Sequence, residues 1–126
     1  MNTREPVSTE NAPRPAGAYN QAIVAGGFVY TAGFGPHDPA TGELPSGIEA
    51  QTVQTIKNLE AALVAAGSGL DLLVKTTVHL ADLADWAAFD VAYGAALPTP
   101  HPVRTTVGSQ LSGILVEIDG VALLRS

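Results

Sequence analysis

Short apolar runs alternate along the chain with glycine- and proline-rich breaks, and this punctuation sets out the expected elements in order. Residues 1–18 hold Pro6, Pro13, Pro15 and Gly17 among polar neighbours and read as an extended arm. Tyr19–Ala25 and Phe28–Ala32 read as two short strands. Gly26-Gly27 between them is a hairpin signal, because a tight two-residue turn needs backbone angles that glycine reaches without strain. Gly33–Gly42 is a turn-rich loop. A helix follows: Ser46 and Glu49 have capping-box spacing, Ile56, Leu59, Leu63 and Ala66 form one apolar stripe, and Gly67 supplies the stop. Gln54, Lys57 and Asn58 fall off that stripe. Leu72–Leu80 reads as a strand with Val74, Thr76, Val78 and Leu80 on one face. Trp86, Phe89, Tyr93 and Leu97 mark a second helix over 85–97, ended by Pro98, Pro100 and Pro102. Val103–Gly108 and Ile114–Leu124 are the last two strands.

The order β-β-α-β-α-β-β predicts an α+β protein, a single domain over residues 1–126 with one sheet and both helices on one face. What covers the other face is not found within one chain, and a neighbouring copy would supply it. Composition points the same way. Of 126 residues, 46% are hydrophobic and only 14% charged, so the surface is poor in charge for so small a chain and a homo-oligomer is expected. A monomer with an exposed ligand groove is the alternative.

The net charge is −6 and the six lysines and arginines form no basic stripe, which argues against a nucleic-acid partner. No apolar run reaches the roughly 18 residues of a membrane span. The polar, proline-rich start is unlike a secretory signal, and the cytoplasm is the expected location. With no cysteine, neither a disulfide framework nor a thiol nucleophile is open to the chain.

Two ionisable residues stand inside strands. Arg104 lies in Pro102-Val103-Arg104-Thr105-Thr106-Val107 and shares a strand face with Thr106. Its planar fork suits a carboxylate, either that of a ligand or that of one of the chain's own acids. Glu117 lies in Ile114-Leu115-Val116-Glu117-Ile118-Asp119. Desolvation there would suit a proton-transferring group; an edge-strand acid facing water is the other reading. Asp119 shares its face and reads as solvated. His37, His79 and His101 match no metal-ligand spacing, so no metal is expected. Gly33-x-Gly35 follows a strand, but Pro36 and Asp38 break the dinucleotide pattern. No serine lies in a nucleophile elbow. Taken alone, these residues suggest an Arg-plus-acid site for a small anion without naming a reaction.

In order and at matching spacing, several segments between Ser8 and Leu124 resemble the RidA/YjgF family. They are Ser8-Thr9-Glu10-Asn11-Ala12-Pro13, Gly17-Ala18-Tyr19-Asn20-Gln21-Ala22, Val29-Tyr30-Thr31-Ala32-Gly33, Asp38-Pro39-Ala40-Thr41-Gly42-Glu43, Val74-Lys75-Thr76-Thr77-Val78 and Asp85-Trp86-Ala87-Ala88-Phe89. The ending around Arg104 and Glu117 completes the likeness. The resemblance implies a chorismate-mutase-like fold and a homotrimer with clefts between subunits. It also implies hydrolysis of 2-aminoacrylate or 2-imino acids to 2-keto acids and ammonia, without cofactor or metal. Arg104 would clamp the substrate carboxylate and Glu117 would orient the attacking water and manage protons. Gly33 would help hold that water, while Tyr19, Phe34 and Thr106 would line the cleft. Ala32 stands where many relatives carry serine, Phe34 where they carry glutamine and Thr106 where cysteine is frequent. These departures lead to the expectation of a more apolar cleft that prefers larger or aromatic imines. Rival readings are a non-catalytic trimer that binds small carboxylates, a pathway-specific enzyme acting on an unusual enamine, and a ribonuclease, which the acidic balance opposes.

Overall fold

In the computed structural model, which describes residues 3–126, six strands form one sheet. They are β1 (Glu5–Val7), β2 (Ala22–Ala25), β3 (Phe28–Thr31), β4 (Leu73–Leu80), β5 (Val103–Gly108) and β6 (Val116–Leu123). The helices are α1 (Ile48–Ala65) and α2 (Trp86–Ala96). The strand order is β1-β2-β3-β6-β4-β5, antiparallel throughout except for the parallel pair β4–β5. The expected α+β architecture is thus present, with a mixed sheet.

Alternation along the central strands decides which face the helices cover. Val78 pairs with Ile118 and Leu80 with Val116, and all four are fully buried. Against them pack Ile56, Leu59 and Leu63 of α1 and Phe89 and Tyr93 of α2. Each such side chain contributes about 1.5–3 kcal/mol by leaving water, so this layer carries most of the fold. The residues between them, Lys75, Thr77, His79, Glu117, Asp119 and Val121, belong to the other face, which no helix or strand among the described residues covers. Tyr30, Val103, Val107 and Leu123 are exposed on it as well.

Gly26 and Gly27 have φ of 59° and 84°, the doubly left-handed turn that matches strand twist, and Ala25 pairs with Phe28 across it. The stop of α1 also stands where expected: Gly67 N–H donates to Val64 O and Ser68 N–H to Leu63 O. Its start differs. No side chain caps α1; Gly47 occupies the cap and its carbonyl receives Gln51 N–H at 3.0 Å, so Ser46 and Glu49 form no capping box. In β4 the expected face is broken at one end. A bulge between Leu73 and Lys75 leaves Val74 exposed and puts Leu73 inward instead.

The arm is more ordered than its composition predicts, although its first two residues lie outside those described. Glu5–Val7 pairs antiparallel with β2 as an edge strand, a position where Pro6 costs no central hydrogen bond. Gln21 fixes the rest of the arm. Buried to 3% exposure, it accepts Thr9 N–H at 2.7 Å and donates to the carbonyls of Thr9, Ala12 and Pro13. Replacing Gln21 by leucine removes all four bonds. Urea unfolding of that variant is expected to show a loss of roughly 1–3 kcal/mol, with Thr9 amide exchange accelerated beyond the global change.

Candidate active site

Because Val116 and Ile118 both point into the core, Glu117 must point away from it, and it faces His79 across the β4–β6 pair. The chain leaving β3 then crosses beside it. Phe34 N–H donates to Ile118 O at 2.9 Å, and Ile118 N–H returns a bond to Phe34 O at 3.0 Å. This bridge lays Gly33 directly on the Glu117 carboxylate. A β-carbon added to Gly33 would stand 2.8 Å from Glu117 Cδ and 2.9 Å from Oε2, closer than such atoms come. Any larger residue at this position would push the carboxylate out of its present place. A cleft of about 190 Å³ surrounds the contact, bounded by Arg14, Tyr19, Gly33, His37, Ile114 and Glu117.

The walls are pinned by polar groups of α1. Asn58, 1% exposed, donates its amide to Gly35 O at 2.9 Å and His37 O at 2.8 Å, and Gln54 donates to its oxygen at 3.0 Å. Gln51 donates to Pro45 O and accepts Leu115 N–H at 2.9 Å, next to Ile114 of the opposite wall. Tyr19 is half exposed, and its hydroxyl accepts Ala16 N–H at 2.9 Å, which ties the ring to the arm. His79 Nδ1 meets Ser109 Oγ at 2.7 Å. Asp119 is half-buried rather than fully solvated. Burial holds its carboxyl above the ordinary value, while the His79 and Lys75 charges pull it back.

Arg104 lies elsewhere. In β5 it pairs in register with Thr76, a fully buried residue whose hydroxyl is 2.6 Å from Tyr93 Oη, so both belong to the helix-covered face. Its Nη1 donates to Asp90 Oδ1 at 2.7 Å. Its guanidinium carbon stands 4.8 Å from the ring centre of Tyr93, 5.4 Å from Phe89 and 5.5 Å from Trp86. Burial raises the Tyr93 hydroxyl above its usual pKa, with the Thr76 hydrogen bond and the Arg104 charge opposing.

The structure therefore gathers Tyr19, Gly33 and Glu117 at one cleft and leaves Arg104 and Thr106 on the opposite face of the sheet. Phe34 borders the cleft, but its ring is 4% exposed and sits cross-strand from Ile118 in the core. The expectation that this phenyl makes the cleft more apolar is corrected: the alternation that turns Ile118 inward turns Phe34 inward with it. Three contributors escaped the sequence reading. Asn58 and Gln21 give no periodic signal, since their role is set by the loops they reach. Asp90 did leave one, as the sole charged residue in the α2 segment WAAFDVAYGAA.

A small α+β chain with a glycine-backed glutamate cleft is the class these features define. Residues 9–124 match the family model described as Endoribonuclease L-PSP. The chain belongs to the RidA/YjgF family. It is 43% identical over 122 residues to a RutC family protein of Pyrococcus horikoshii, covering 94% of this chain and 97% of that one. It is 40% identical to Reactive Intermediate Deaminase A, chloroplastic, of Arabidopsis thaliana, over 96% of this chain and 66% of that one, so the family includes reactive intermediate deaminases. Among solved structures, RidA from Psychrobacter sp. PAMC 21119 superposes with a TM-score of 0.90 at 35% identity, covering 95% and 99% of the two chains. Escherichia coli TdcF with bound serine gives 0.89 at 31%, covering 97% and 99%. No helix among the described residues is long and apolar enough to cross a membrane.

Asn58 offers the cleanest test of how the cleft is held. Asn58→Leu takes the donor from the part-buried Gly35 and His37 carbonyl bonds, so urea unfolding should reveal a loss of about 1–3 kcal/mol. Amide exchange should quicken between residues 33 and 38 while β4 keeps its relative protection.

Proposed function

We propose that the chain hydrolyses the imines of small 2-amino acids, and the enamine 2-aminoacrylate after tautomerisation, to 2-keto acids and ammonia. The observation that carries this reading is the seating of Glu117 against the Gly33 backbone in a surface cleft. A carboxylate so placed has few rotamers left and can hold one water in a fixed direction. Water attacks the imine carbon as Glu117 takes its proton. The same carboxyl passes that proton to the nitrogen of the tetrahedral adduct, then takes the adduct's hydroxyl proton and delivers it to the departing nitrogen as the C–N bond breaks, so that both water protons leave on ammonia and the carbonyl remains. The balance is one water in and one ammonia out.

The substrate carboxylate needs a cation, and Arg104 of the same protomer stands across the sheet from Glu117. The reading therefore joins Arg104 and Thr106 of one subunit to the Tyr19–Gly33–Glu117 cleft of another, in a homotrimer as the family likeness implies. Exposed Tyr30, Val103, Val107 and Leu123 on the uncovered face favour such burial between copies. With the Phe34 side chain turned into the core, the ground for preferring aromatic imines falls away, and small imino acids are the substrates put to the test. The serine held by the TdcF relative is of that size and carries a carboxylate. No soluble cofactor or metal enters this scheme. The −6 net charge opposes the endoribonuclease reading that the family description raises.

Imino acids generated in place by an amino-acid oxidase and trapped with semicarbazide test the proposal. Wild type should suppress trapping of small imines, and Glu117→Gln and Arg104→Ala should each lower that rate by about 100-fold or more. Gly33→Ala should fall by at least about tenfold while staying folded, because its methyl displaces the carboxylate. Sedimentation should give a particle of three 12.9 kDa chains. Suppression that survives in Glu117→Gln would refute the mechanism.

A further inference from the structure

Arg104 already meets a carboxylate within its own chain. Resting on the deaminase reading above, we infer that Asp90 is a specificity-determining residue that competes with the substrate carboxylate for the Arg104 guanidinium. The contact is a single one, Nη1 to Oδ1 at 2.7 Å, and it is the one side-chain hydrogen bond Arg104 makes among the described residues. A paired fork would use two nitrogens on two oxygens; here one oxygen holds one nitrogen and the other donors remain for an incoming anion.

The surroundings make this competition direct. Trp86, Phe89 and Tyr93 hold the guanidinium carbon within 5.5 Å of their ring centres, which favours its staying beside Asp90 when an anion arrives. Asp90 and those three rings all belong to α2, a rigid element docked on the core. The pair nevertheless opens to the surface: the Arg104 side chain is 18% exposed and that of Asp90 43%. An anion can therefore reach the guanidinium, yet it finds the positive charge half answered and one edge taken. Like charges repel, so a substrate carboxylate beside Asp90 binds more weakly than it would beside Arg104 alone. The predicted result is modest carboxylate affinity and fast loss of the keto-acid product, which carries the same group.

Pyruvate is the probe, with affinity read by calorimetry or ligand-observed NMR on the assembled protein. Asp90→Asn, of the same shape but without the charge, should bind pyruvate about 3- to 10-fold more tightly than wild type, and Asp90→Ala at least as tightly. In the imine assay KM should fall by a similar factor with kcat held or lowered, and Asp90→Glu should restore wild-type values. A purely structural ion pair would lower thermal stability and leave pyruvate affinity unchanged. Unchanged or weaker pyruvate binding in both Asp90→Asn and Asp90→Ala, with binding lost in Arg104→Ala, overturns the inference and leaves the deaminase reading standing. Pyruvate binding that persists in Arg104→Ala removes the arginine clamp, and the inference falls with it.

Discussion

A side chain in a β-strand can point to only one face of its sheet, and this constraint organises the whole molecule. The apolar residues of β4 and β6 turn towards the helices and make the core. Glu117, one step out of phase, is thereby delivered to the uncovered face. Arg104, in phase with buried Thr76, is delivered to the helix side. No rotamer change brings the two together through a packed layer. Any chemistry that needs both must recruit them from different copies of the chain, and the same uncovered face that carries Glu117 also carries the apolar residues that an assembly would bury.

Much of this was legible in the sequence because periodicity is a strong signal. The stripe Ile56, Leu59, Leu63 and Ala66 predicted α1, the pair Gly26-Gly27 predicted the hairpin, and Trp86, Phe89, Tyr93 and Leu97 predicted α2, although Trp86 at its first turn is exposed while the other three are buried. The misses share a physical cause. The edge strand Glu5–Val7 depends on a partner strand and on Gln21, neither of which marks the arm itself. The bulge at Val74 arises from β-sheet register, which alternation within one strand does not reveal. The absent capping box shows Gly47 taking a place that Ser46 had equal claim to on spacing alone.

The site was legible as a set of residues and not as a place. Glu117 and Gly33 could be singled out, yet their close approach follows from the Phe34–Ile118 bridge, a pairing between segments more than eighty residues apart. Phe34 shows the converse. Its identity suggested a cleft wall, and the same bridge sends its ring into the core. For Arg104, sequence left a ligand and an internal acid equally open as partners. The structure supplies the internal one in Asp90 and frames the guanidinium with three aromatic rings.

The central claim is that Arg104 and Glu117 act together only across subunits, and complementation measures it directly. Arg104→Ala and Glu117→Gln, each inactive alone, are co-expressed with different tags and the mixed oligomers isolated by tandem purification. Imine hydrolysis should return in the mixed species, since some clefts then pair an intact arginine from one chain with an intact glutamate from another. Folded, mixed oligomers that remain as inactive as either parent would contradict the account.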